Sequence, residues 1–205
     1  MKNKSTTTLQ TSQHIIAGLL PEDSRIEFFG LPESLKVQFI QHGHTHSFSQ
    51  LPATAVSVLR NAYNANADAR RVLGAYKERG ETINATRQLE LYTYFMYGGL
   101  DESPDFIDGI LQEPENYRHT QDCISLQFKT IKLNGNPLKP REVQMIDLIL
   151  EDHKNTAIAL KMGIAVPTFN QHDAELKKKA GVQSKPALLL KAFKEGIAQS
   201  FNANF

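Results

Sequence analysis

Residues 138–197 read LKPREVQMIDLILEDHKNTAIALKMGIAVPTFNQHDAELKKKAGVQSKPALLLKAFKEGI, and this stretch decides the fold of the chain's last third. Apolar positions recur at helical spacing and are punctuated by Gly163-Ile164 and Gly181-Val182. Pro140-Arg141-Glu142 opens a first helix, whose Val143, Ile146, Ile149 and Leu150 form one buried face. A second helix is predicted over about 155–162, with Ala157, Ile158 and Leu160 available for packing. Gly163 stands where a left-handed residue would end it, and Ile164 can plug the core. A third helix spans about 167–179 and places Phe169, His172 and Leu176 on one face, leaving Asn170, Gln171, Ala174, Lys177 and Lys178 on others. Gly181 ends it, and a fourth helix, 185–195, packs through Leu188, Leu189 and Ala192. A support helix, a tight turn and a helix with one polar face make a helix-turn-helix.

The same residues carry a resemblance. Leu138-x-Pro140-Arg141-Glu142, Asn155-x-x-Ile158-Ala159, Gly163-Ile164, Thr168, His172 and Lys179-x-Gly181-Val182-x-Ser184-Lys185 resemble the DNA-binding domain of LuxR/NarL-type bacterial transcription regulators, over about 60 residues without a gap. The resemblance implies that the third helix enters the major groove of duplex DNA and that the fourth contributes to a homodimer. It implies Thr168 and Lys177 or Lys178 near phosphates, Asn170 and Gln171 at base edges, and Lys185 among the contacting set. Asn and Gln amides can each bond an adenine edge bidentately. The chain departs from the pattern at Ala165, where a capping Ser or Thr is usual, and at Asp173 and Glu175, because a carboxylate facing phosphate is repulsive.

Charge follows the same division. Residues 137–205 hold ten lysines and arginines against seven acids, a balance of +3, and residues 1–136 balance at −2. The single cysteine, Cys123, permits no intrachain disulfide and suits a reducing cytoplasm. No run approaches the roughly 18 apolar residues of a membrane-spanning helix, so a cytoplasmic protein is expected.

The front two thirds offer less. Residues 1–13 are polar and read as a flexible tail. A helical domain is predicted over 14–97: a short helix at 14–20, a second through LKVQFIQ with Pro32 near its first turn, others after Pro52 with a break near Asn64–Asn66, and a last one at 86–97. HGHTHSFSQ reads as a loop. Residues 98–136 read as an irregular acidic connector, in which ISLQFKTIKL (124–133) alternates like a strand and Asn134-Gly135 marks a turn. The fold class expected is therefore mainly α, a helical N-terminal domain followed by a four-helix LuxR-type helix-turn-helix domain over 137–205.

Few constellations suggest chemistry. His42-x-His44-x-His46 has three imidazoles at alternate spacing, but Gly43 and Ser47 favour a plain solvated loop. The acids from Asp101 to Glu115 do not fit a calcium-binding EF-hand loop and read as solvated. Cys123 has no activating neighbour in sequence. No phosphate-binding loop, no receiver-type βα alternation and no tryptophan-rich lactone sensor are present. No enzyme, metal or cofactor is expected. The reading is a DNA-binding regulator acting as a homodimer. A small-molecule or protein signal would act at its front half, where Tyr92, Phe95 and Tyr97 are the candidate pocket lining. The rival is a protein-interaction module whose helix-turn-helix no longer touches DNA.

Overall fold

The chain is described by a computed structural model over residues 15–151 and 153–197; the tail expected over 1–13 lies outside the described residues. The front half is not the all-helical unit expected. It opens with a three-stranded antiparallel meander, β1 (Glu27–Leu31), β2 (Lys36–Gln41) and β3 (His44–Ser47), in the order β1-β2-β3. LKVQFIQ is therefore a strand. Val37 and Phe39 point into the core and alternate with outward Lys36 and Gln38, a period of two that outweighs the helix-start signal of Pro32. Residues 15–20 hold turns rather than a helix.

Three helices follow: α1 (Ala53–Ala65), α2 (Ala67–Gly74) and α3 (Ala85–Tyr97). The break expected near Asn64–Asn66 is present, because the Asn66 side chain accepts the Ala69 N–H at 2.9 Å and caps α2. α3 lies against β1 and β2 so closely that a Cβ on Gly30 would come within 2.4 Å of the Tyr94 ring. Tyr92, Phe95 and Tyr97 are each no more than 3% exposed, so the aromatic stripe is core.

Two-residue hairpins recur. His42-Gly43, Arg79-Gly80, Asp108-Gly109 and Asn134-Gly135 each have positive φ at both residues. They join β2 to β3, β4 (Lys77–Glu78) to β5 (Glu81–Thr82), β6 (Phe106–Ile107) to β7 (Ile110–Leu111), and β8 (Lys132–Leu133) to β9 (Asn136–Pro137). That geometry matches the right-handed twist of the flanking strands.

Residues 98–136 are more than an irregular connector. Phe106, Cys123 and Phe128 complete the first core, which draws on residues from Ile26 to Phe128. A second core gathers residues from Ile131 to Ile197. ISLQFKTIKL forms no long strand: Ile124–Gln127 is a 3-10 turn and only Lys132–Leu133 pairs. The segment passes from one core to the other, with Phe128 against Phe95 and Ile131 in the second cluster, so it has no single ladder partner. Arg118, fully buried, joins the two parts through both oxygens of Asp147 at 2.7 and 2.9 Å and through the Ile197 carbonyl at 2.8 Å.

Candidate nucleic-acid interface

The C-terminal helices are α4 (Pro140–Leu150), α5 (Asn155–Lys161), α6 (Val166–Ala180) and α7 (Lys185–Lys194). Pro140 sits in the first turn of α4, and Glu142 closes that end by accepting the Lys139 N–H at 2.6 Å. The same carboxylate takes the Lys179 ammonium at 2.7 Å, fastening the end of α6 to the start of α4. The turn between α5 and α6 is built as its glycine requires. Gly163 is left-handed at φ 65°, and the Ile164 N–H reaches back to the Ala159 carbonyl at 3.0 Å. Gly181 repeats this after α6, with the Val182 N–H on the Lys177 carbonyl at 3.0 Å.

α6 buries Phe169, Asp173, Leu176 and Ala180 and turns Thr168, Asn170, Gln171, Ala174, Glu175 and Lys178 outward. Two expected packing residues behave otherwise. His172 is 41% exposed, since Asp173 rather than His172 falls on the inward side. Leu160 is 82% exposed, because Ile158 and Ala159 already fill the inner face of the short α5.

The six residues expected to contact DNA differ in how free they are. Thr168 and Lys178 are exposed and make no side-chain hydrogen bond or ion pair among the described residues. Asn170 and Lys185 meet through Asn155. The Asn155 amide donates to Asn170 Oδ1 at 3.2 Å, and Lys185 Nζ donates to Asn155 Oδ1 while standing 5.6 Å over the Phe169 ring. Asn170 thereby presents its own NH2 outward from a fixed amide. In sequence Asn155 is legible only as part of the second helix, because its bridge to Asn170 and Lys185 spans 15 and 30 residues. Gln171 Nε2 donates to Glu175 at 3.0 Å. This bond, with His172 nearby, holds the Glu175 carboxyl below its usual range and keeps it ionised. Lys177 is bound to Asp173 at 2.8 Å.

The two acids that depart from the family pattern thus separate. Asp173 is 6% exposed, faces the core side and neutralises Lys177, whereas Glu175 stands on the outward face. The missing cap at Ala165 is also visible: the residue has the extended geometry of a cap (φ −69°, ψ 148°) without a side chain to accept an N–H. Ala165→Ser is expected to raise the unfolding free energy by about 0.5–1 kcal/mol in urea denaturation. No gain would mean that Pro167 in the first turn already supplies what a cap would.

The triple imidazole of the front half does not converge. His42 lies in the hairpin turn and contacts the Pro21 carbonyl at 3.3 Å, while His46 stacks on Phe39. Among the described residues it forms no group able to hold a metal ion.

Residues 136–192 match the family model for bacterial regulatory proteins of the luxR family. Over 73 residues the chain is 33% identical to the transcriptional regulatory protein MctR of Rhizobium johnstonii, an alignment covering 36% of this chain and 34% of that protein. The chain thus spans about a third of that relative's length. No solved structure matches the chain. Matched residues, paired left-handed glycines and an outward polar face on α6 agree: residues 136–192 are a helix-turn-helix domain of the luxR family.

Proposed function

We propose that the chain is a DNA-binding transcription regulator acting in the cytoplasm, that residues 137–205 are its DNA-binding unit, and that α6 enters the major groove. The observation that carries this reading is the outward face of α6. It sets Thr168, Asn170, Gln171 and Lys178 on one solvent-facing surface of a luxR-type domain. Thr168 and Lys178 serve phosphates, Asn170 and Gln171 serve base edges, and Lys177 and Lys185 stiffen the frame through Asp173 and Asn155. Fluorescence anisotropy of the full chain on random duplex DNA, across a salt series, tests it. Binding should fall steeply with salt, and Lys178→Ala should weaken it several-fold and flatten the log–log salt slope by about one. An unchanged slope would remove Lys178 from the interface.

A homodimer is proposed because one small helix offers too few base contacts for tight specific binding. α7 exposes Leu190 and Phe193 one helical turn apart, at 58% and 46% exposure, an apolar edge suited to a second copy. Leu190→Glu is expected to shift the protein to monomer in light scattering and to lower apparent DNA affinity at least about tenfold. A dimer that survives the change would move the interface elsewhere.

One observation favours the rival, a protein-interaction module. With Lys177 neutralised by Asp173 and Lys179 by Glu142, the outward side of α6 carries Glu175 against Lys178 and is close to neutral. No anisotropy change at low salt, with dimerisation intact, would select that rival. The front half is the proposed input unit, joined to the DNA-binding unit through residues 98–136. Among the described residues no helix is long and apolar enough to cross a membrane.

A further inference from the structure

We propose that Glu27, Asp101 and Glu115 form a binding site for a hard divalent cation of calcium's size. The three carboxylates come from separate places: the first residue of β1, the loop after α3, and the segment after β7. One oxygen from each lies within 4.8 Å of the others. Calcium–oxygen bonds of about 2.3–2.6 Å keep any two ligands of one ion within roughly 5.2 Å of each other, so the three oxygens are close enough to share one ion.

An independent observation points to a ligand. Glu27 is fully buried, and its Oε1 accepts the Asp101 N–H at 3.0 Å, yet its Oε2 has no hydrogen-bond partner. Glu115 is held differently: Oε2 accepts the Gly99 N–H at 2.7 Å, and its carboxyl shares a hydrogen bond with Asp105. An oxygen left like Glu27 Oε2 is costly to bury. Asp105 stands behind them as a wall, its Oδ2 taken by the Phe28 N–H at 2.8 Å. Among the described residues no lysine or arginine makes a direct ion pair with Glu27, Asp105 or Glu115; the buried Lys129 charge acts on Glu115 from farther away.

The chemistry selects the ion class. Every donor is a carboxylate oxygen and no imidazole or thiolate joins the group, which disfavours zinc and copper. Asp101 is exposed, so water can complete the shell from that side. Burial raises Glu27 to about 9 and raises Asp105 and Glu115 as well, and neighbouring carboxylate charges add to each. A divalent ion would relieve that repulsion. The site borders the cleft that runs past Asn116, whose amide clamps Lys132 and the Glu195 carbonyl at the end of α7, each at 2.8 Å. The proposal does not depend on DNA binding, and its test involves none.

The test is calorimetric titration of the EDTA-stripped full chain with CaCl2, with MgCl2 in parallel, and melting of the same samples. One saturable site for calcium and a raised Tm are expected. Glu27→Gln should weaken binding at least tenfold while melting in EDTA no lower than the unaltered chain, which shows that it is folded. Glu33→Gln, an exposed acid on the β1–β2 turn, should bind normally. Absence of heat and of any Tm change up to millimolar calcium, a response to magnesium alone, or full affinity in Glu27→Gln would each overturn the site. Protons alone would then hold the cluster.

Discussion

Arg118→Met is expected to destabilise the chain by about 3–5 kcal/mol in urea denaturation, because removing one partner of a buried ion pair leaves the other charge stranded. The stranded group is Asp147, on α4 and 5% exposed. Both of its oxygens are held by the Arg118 guanidinium, at 2.7 and 2.9 Å. The arginine also donates to the Ile197 carbonyl beyond the end of α7 at 2.8 Å and to the Gln121 carbonyl at 3.2 Å, so its loss leaves two backbone acceptors unpaired by it as well. The effect should fall on the second core and on the docking of residues 118–121 against it. The paired change Arg118→Met with Asp147→Leu should recover much of the loss, since an apolar pair of similar volume replaces both charges. A double-mutant cycle separates the coupling from the truncation. A single-mutant cost below about 1 kcal/mol would mean that water reaches Asp147 and that the pair is not dry.

This pair also shows where sequence reasoning stopped. The C-terminal domain was legible because its information is local: apolar spacing of 3.6, Pro140 at a helix start, and Gly163 and Gly181 at helix ends all act within a few residues. Even there, spacing fixes a helical face only to within one position: Asp173 takes the inward place that spacing alone predicts for His172. The front half depends on long-range pairing. KVQFIQ is a strand because EFFGL lies beside it in register, Phe28 opposite Phe39, and because α3 covers both. The local signal is the alternation of Val37 and Phe39 with polar neighbours, and it competes with the helix-start signal of Pro32. Of the four two-residue hairpins Asp108-Gly109 and Asn134-Gly135 carry the turn dipeptide; His42 and Arg79 adopt positive φ without that signature. Arg118 and Asp147 are 29 residues apart, and Glu27 is 74 from Asp101 and more from Glu115. Nothing local distinguishes Asp105 or Glu115 from the exposed acids around them, so a buried cluster read as a solvated connector.

That cluster should make the cation-free protein respond to pH in an unusual direction. Glu27 is held at about 9, against an ordinary 4.5. Burial is the main cause, opposed by the Asp101 N–H, and the Glu115 and Asp101 charges add to it. Asp105 and Glu115, side by side, are both raised, first by burial; the Glu115 and Glu27 charges add to Asp105, and the Asp101 charge adds to Glu115. A folded-state value above the unfolded one means that the folded chain keeps a proton the unfolded chain has released. The favourable contribution is complete below about pH 4.5 and drains away as pH rises through the folded value near 9. Within that window each pH unit removes about 1.4 kcal/mol per such group. Buried Lys129, lowered to about 8 by its own desolvation, acts in the opposite sense above that pH, so a raw pH profile mixes the two. Glu27→Gln isolates the acid. In EDTA, its Tm relative to the unaltered chain should climb steadily from pH 5 to pH 8.5 and end several degrees above it, because the glutamine has no proton to lose. A constant difference across that range would show that Glu27 titrates as an ordinary carboxylate and that water, rather than protein, surrounds it.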